Sequence, residues 1–264
     1  MKAIILMKQT PDTAQLSSNM DGLKLMAEGG PRIVNPWDEF SLEIGITLKE
    51  DHNGDCTILT MGRPESTEAI KTGLAMGASD AVLLTDPAFA NSDTLATARI
   101  LAAAVHKLGD YDIIVAGKSA IDGDTGQTAV QLAALLDIPY LGYVVEIKEV
   151  DFDAKKITVI RALETGRETV TSTLPAVISV LKEIKDPRYP SFMGIRRAAK
   201  AKIPEWGISD LGLSADEVGS AGSQVQWSDV SLPVTKEVKL EMLEGDPAEV
   251  ARRLADRLLA EKVI

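Results

Sequence analysis

Hydrophobic residues in the first half of the chain fall into short unbroken runs separated by longer stretches with a helical period. Lys2 to Met7, Asp55 to Met61, Asp80 to Thr85 and Tyr111 to Ala116 are such runs. A strand that is apolar without alternation is covered on both faces, as in a parallel sheet. Between the runs, Asn35-Pro36 opens a helix with Trp37, Phe40, Ile44 and Leu48 on one face, ending near Asn53-Gly54. Asp38, Glu39 and Glu43 lie near its positive end. A second helix runs from Glu65 to Met76 and stops at Gly77; a third is capped by Ser92 or Asp93 and runs to Leu108; a fourth covers 126–136. This alternation predicts a doubly wound, Rossmann-like α/β fold with a mostly parallel sheet and helices on both faces. Ligands of such folds sit at the carboxyl ends of the strands, where Lys8–Thr13, Gly62–Pro64, Asp86–Thr97 and Gly117–Thr128 form the loops.

The pattern changes after Pro139. Tyr140 to Val150 and Ile157 to Leu163 flank a turn at 151–156 as a hairpin does, and Val170 to Leu181 reads as one more strand interrupted by Pro175. Antiparallel strands extending the sheet are expected. Residues 204–245 are rich in Gly, Ser and Asp with little periodicity and read as an extended linker. Asp246-Pro247 then starts a helix with Val250, Leu254 and Leu258 on one face. The division is thus a nucleotide-binding α/β domain over 1–203, a linker over 204–245 and a terminal helix over 246–264. That helix either packs on its own domain or forms an arm across a partner. The long approach favours the arm, because structureless loops beyond about 12–15 residues are uncommon inside compact domains.

The stretch with the most chemistry is Gly117-Lys118-Ser119-Ala120-Ile121-Asp122-Gly123-Asp124-Thr125-Gly126-Gln127-Thr128, between a strand and a helix. Unpaired N–H groups and the helix dipole gather there, which suits an anion. Gly117, Gly123 and Gly126 give conformational freedom and close approach, while Thr125, Gln127 and Thr128 supply side-chain donors. Spacing alone leaves two readings, a phosphate cradle and an ordinary strand-to-helix turn. The loop is neither a P-loop nor a GxGxxG fingerprint. Asp122 and Asp124 would repel phosphate head-on, so each turns away, holds the loop's own N–H groups, or meets a ribose hydroxyl.

Composition narrows the alternatives. The 264 residues are 45% hydrophobic and 25% charged, as in a globular protein. The apolar run at the N-terminus is too short for a membrane span, and the single cysteine, Cys56, cannot form an internal disulfide; a cytoplasmic location is expected. His52 and His106 stand apart from any Cys or carboxylate cluster, so no metal site and no Ser/His or Cys/His catalytic pair is read. The net charge of −11 argues against general nucleic-acid binding. Between Lys182 and Lys202, however, seven bases face two acids, leaving +5 there and −16 elsewhere. That contrast predicts a docking surface.

These pieces together resemble the β subunit of electron transfer flavoprotein along the whole chain. The resemblance rests on Met7-Lys8-Gln9-Thr10-Pro11-Asp12-Thr13, Asn35-Pro36-Trp37-Asp38-Glu39-Phe40, the Gly117–Thr125 loop, Arg161 to Glu168 ahead of Leu174-Pro175-Ala176-Val177, and Pro187-Arg188-Tyr189 before the basic run. It implies a heterodimer with an α subunit carrying a redox FAD, the β subunit itself being non-catalytic alone. In simple shuttles the β site holds structural AMP; in the bifurcating branch it holds a second FAD that exchanges hydride with NADH. Asp122-Gly123-Asp124-Thr125, Asp93-Thr94-Leu95-Ala96-Thr97 and Asp38 resemble the bifurcating branch, whereas Gln127-Thr128 also occurs in the AMP branch. The implied cofactor residues are Lys8, Asn35, Asp38, Asp93, Thr94, Thr97, Gly117, Asp122, Gly123, Asp124, Thr125, Gly126, Gln127 and Thr128. Tyr189-Pro190-Ser191-Phe192 resembles the recognition loop for a partner FAD-dependent dehydrogenase, with Phe192 as anchor and Tyr189, Arg196 and Arg197 beside it. Ferredoxin is the implied low-potential partner.

Overall fold

The computed structural model describes residues 1–15, 30–226 and 240–263. Met1–Val230 and Ser231–Ile264 are separate compact units. The strands of the first unit are β1 (Lys2–Leu6), β2 (Gln9–Pro11), β3 (Arg32–Val34), β4 (Asp55–Met61), β5 (Asp80–Leu84), β6 (Ile113–Gly117), β7 (Tyr140–Asp151), β8 (Lys156–Leu163), β9 (Gly166–Thr173), β10 (Ala176–Val180) and β11 (Glu205–Trp206). Its helices are α1 (Pro36–Asp51), α2 (Thr67–Met76), α3 (Thr94–Leu108), α4 (Thr128–Leu135), α5 (Phe192–Ala198) and the short turns α6 (Ile208–Leu211) and α7 (Gly219–Gly222).

One sheet runs β11-β5-β4-β1-β6-β10-β7-β8-β9, and β2 pairs with β3 as a separate antiparallel ribbon. Every neighbouring pair from β11 to β7 is parallel, whereas the β7–β8 and β8–β9 pairs are antiparallel. Buried side chains explain the unbroken apolar runs. Ile5, Ile58, Leu83, Ile113 and Ile178 face Leu42 and Ile46 of α1 and Ile70 and Leu74 of α2. Ile4, Leu59, Leu84 and Ile114 face Ile100, Leu101 and Val105 of α3 and Leu132 of α4. Truncating a wholly buried residue such as Leu42 or Ile58 to Ala costs about 2–5 kcal/mol in a core of this kind.

Two expectations need correction. The apolar run at 170–181 is two strands, and the second does not extend an edge: β10 lies inside the sheet, parallel to β6 on one side and β7 on the other. Its five residues are all buried, which is the pattern of a central parallel strand. Nor is the segment from 204 a free linker as far as it is described. β11 adds to the edge of β5, Lys107 Nζ lies 4.6 Å from the Trp206 ring centroid, and the Asp86 carboxylate accepts the Ile208 N–H at 3.0 Å. The compact unit therefore takes in this segment as far as it is described, to Gln226, and 227–239 lie outside the described residues.

The second unit holds α8 (Pro247–Ala260), opened by Asp246, whose carboxylate accepts the Ala248 N–H at 3.0 Å. None of its residues is buried, and Leu254 and Leu259 are exposed. Arg257 pairs with Glu241 at 2.9 Å within the unit. Among the described residues, no helix is long and apolar enough to cross a membrane.

Candidate functional site

The chain crosses the sheet from β1 toward β5 and then returns to place β6 on the other side of β1. This reversal leaves a cleft of about 480 Å³ at the carboxyl ends of β1, β4 and β6. Every cofactor-site residue named from the sequence lines it. Lys8 comes from the end of β1; Asn35 and Asp38 from the entry of α1; Asp93, Thr94 and Thr97 from the entry of α3. Gly117 ends β6, and Asp122, Gly123, Asp124, Thr125, Gly126, Gln127 and Thr128 form the loop into α4. Leu6, Met7, Leu59, Met61 and Leu101 supply an apolar floor, and Lys118, Ser92 and Val225 also contribute. The strand ends carried a signal for the floor; nothing local marked Val225.

A network of long-range bonds shapes the loop. Asn35 occupies the cap position of α1, but its side chain makes no cap bond. Wholly buried, it instead donates through Nδ2 to the Ser119 carbonyl at 2.8 Å and accepts the Ile121 N–H at 3.2 Å. Asp122 forms an ion pair with Lys8 at 2.7 Å, and Asp124 accepts the Ser119 hydroxyl at 2.6 Å. Lys8 thereby offsets the Asp122 charge, while the Ser119 hydroxyl fixes the direction of the Asp124 carboxylate. Gly126 has φ +61°, where a Cβ is strained. Gly117 serves packing, since a Cβ there would come within 2.5–2.7 Å of the Asp38 carboxylate and the Trp37 backbone. The close approach made possible by Gly117 is therefore that of α1. Gly123, by contrast, opens onto space, its nearest neighbour for a Cβ being Thr125 at 4.0 Å.

Asp38 is the unusual ionisable group. Its Oδ2 accepts the Lys8 N–H at 2.7 Å, yet burial pushes the carboxyl up to about 7 against the pull of that bond, Asn35 and the Lys8 charge. Asp93 is the opposite: burial alone would raise it, but N–H donors from Ala96, Val225 and Gln224 hold it below the ordinary carboxylate range. Thr125, Thr128 and the N–H groups opening α4 supply neutral donors, and Lys118 Nζ lies 5.2 Å from the Trp37 ring centroid. Donors for phosphate oxygens thus stand beside an apolar floor for flat rings, which is the lining a nucleotide cofactor needs.

The model of the electron transfer flavoprotein domain matches residues 23–211. The electron transfer flavoprotein subunit beta of Thermoanaerobacterium thermosaccharolyticum is 38% identical over the full length of both chains. Subunit CarD of the caffeyl-CoA reductase-Etf complex of Acetobacterium woodii is 37% identical, again over the whole of both. Protein FixA of Azorhizobium caulinodans is 37% identical over 99% of this chain and 93% of its own. The chain belongs to the electron transfer flavoprotein β-subunit family.

In this family member the basic segment is anchored on the face of the sheet that carries α1 and α2. Arg188 forms a forked pair with Glu43, at 2.8 Å, and Glu50, at 2.6 Å, and Lys185 reaches Glu43 at 3.1 Å. Glu43 is itself buried. Burial would raise its carboxyl, but Arg188 and Lys185 hold it down at about 2. Beyond this anchor Tyr189 is 93% and Phe192 75% exposed, with Met193 and Ile195 beside them. Arg196 is exposed, whereas Arg197 also donates to the Leu74 carbonyl at 3.2 Å and so helps to hold α5 on α2.

Proposed function

We propose that the cleft holds FAD and that this subunit passes electrons between NAD(H), a low-potential acceptor or donor such as ferredoxin, and a partner dehydrogenase, by way of an α subunit in a heterodimer. The observation that carries this reading is the convergence of the Gly117–Thr128 loop, Asp38 and the Asp93–Thr97 helix entry on a single cleft at the reversal of the sheet. A bound flavin supplies hydride and single-electron chemistry, so the chain need only bind, orient and tune it. Thr125, Thr128 and the opening N–H groups of α4 hold phosphate; Leu6, Leu59, Met61 and Leu101 exclude water from the floor; Asp38, its carboxyl raised by burial to about 7, gains and loses a proton in the cleft wall near neutral pH. AMP in the same site is the second reading, favoured by Gln127-Thr128.

The docking reading is supported by exposed Tyr189 and Phe192 among bases, with Arg196 giving charge steering and Arg197 bracing α5. The exposed apolar side chains of α8 support an arm that seats on the α subunit. The decisive experiment denatures the purified complex and counts released nucleotides. A second FAD per heterodimer that NADH reduces fits the proposal. One FAD plus AMP rejects it in favour of the simple shuttle, and a second FAD unresponsive to NAD(H) rejects the bifurcating role alone.

A further inference from the structure

The side of the cleft nearest α3 is completed by Val225, more than a hundred positions downstream, and one carboxylate holds its segment there. Asp93 caps α3 by accepting the Ala96 N–H through Oδ1 at 2.8 Å. Its other oxygen accepts two successive N–H groups, from Gln224 at 2.7 Å and Val225 at 3.0 Å. The Asp93 N–H donates to the Ser223 hydroxyl at 2.8 Å, and that hydroxyl donates to the Gly219 carbonyl at 2.6 Å. Neighbouring contacts serve the same segment: Ser92 accepts the Gly219 N–H at 3.0 Å and Arg99 donates to the Gly222 carbonyl at 3.1 Å. Val225 lines the cleft although its side chain is 59% exposed. A helix cap requires one carboxylate oxygen. Here the second fixes an apolar side chain at the rim of a cofactor cleft.

We infer that Asp93 is a positioning residue: it presents Val225 to the ligand and ties the closed arrangement of 219–225 to occupancy of the cleft. Polar contacts dominate the hold on 219–225, with Val218 as the buried apolar residue before it. A segment held this way opens locally at low cost, and a ligand that packs on Val225 favours the closed arrangement. By linkage, whatever favours the closed arrangement of 219–225 tightens the ligand by the factor with which it is coupled to that closure. The inference rests on the cleft being a nucleotide site.

The test is amide hydrogen exchange at Gln224 and Val225 in the intact purified complex, stripped of nucleotide and then reloaded with FAD or with AMP. Loading is expected to slow exchange at both amides by about tenfold or more, the scale on which a ligand excludes local opening. In Asp93→Asn the amide oxygen can still cap α3 while the charged acceptor is lost. That variant should lose the nucleotide-dependent slowing and bind FAD about tenfold more weakly, with the Ala96 amide still protected. Ser223→Ala, which leaves the carboxylate intact and removes its neighbouring bond, should show a smaller change of the same sign. Equal exchange at the two amides in loaded and stripped wild-type complex overturns the inference, and that comparison needs no variant. If neither FAD nor AMP binds the stripped complex, the nucleotide reading of the cleft falls first and this inference with it.

Discussion

Asp38→Asn should remove a pH dependence that the fold imposes on its own stability. The Asp38 carboxyl is buried beside the cleft, with its value raised from 3.8 to about 7, the desolvation of the charged form outweighing the Lys8 N–H bond. A group whose folded value is raised binds more protons folded than unfolded, so stability falls as pH climbs from the unfolded value through the folded one. The penalty is absent well below pH 4 and complete above roughly pH 8. At about 1.4 kcal/mol per unit, the full span is about 4 kcal/mol, and about 2 kcal/mol of it falls between pH 5.5 and 7. Glu43 and Asp93 have lowered values and lose their contributions only at acid pH, outside this window. Asn at position 38 can still accept the Lys8 N–H and never ionises. Urea unfolding of the nucleotide-free protein, wild type against variant, across about pH 5 to 8.5 reads the effect directly. The variant should gain stability over the wild type as pH rises, with the difference levelling off above pH 8. Parallel curves for the two proteins would refute the burial argument and return Asp38 to an ordinary carboxylate.

Glu43→Gln should cost about 2–4 kcal/mol and increase protease cleavage around Arg188, because Arg188 and Lys185 lose a buried counter-charge; unchanged cleavage and stability would show that the cluster is no anchor. Phe192→Ala should raise the partner concentration needed for half-maximal electron transfer by about tenfold without altering flavin content, as expected for an exposed anchor; steady-state titration with the dehydrogenase checks it. Removing 246–264 should weaken association with the α subunit more than it lowers the melting temperature of the isolated chain, and equal losses would place the helix in its own core. Thr125→Val should reduce nucleotide affinity by ~1–3 kcal/mol, up to about a hundredfold, read by equilibrium binding.

Periodicity by itself was enough to place β1, β4, β5, β6 and the helices between them, because parallel strands covered on both faces must be apolar throughout and surface helices must carry a stripe. The loop before α4 and the helix entries at Asn35 and Asp93 were legible for the same reason: chain reversals at strand ends use Gly, Asn, Asp and Pro locally. What the sequence left open depends on partners distant along the chain. β10 reads as the second half of one strand over 170–181 that extends the sheet, until pairing puts β6 and β7 on either side of it. Asn35 reads as a helix cap until the loop at 119–121 arrives to take both ends of its amide. The acidity of Asp38 depends on what buries it, the pairing of Glu43 spans 145 positions to Arg188, and the role of Val225 follows from a bond made 132 positions away by Asp93. Such contacts have no period to detect. They are fixed only when the sheet has closed and brought both partners out of water, since a carboxylate or amide in the unfolded chain is satisfied by solvent and carries no preference for either.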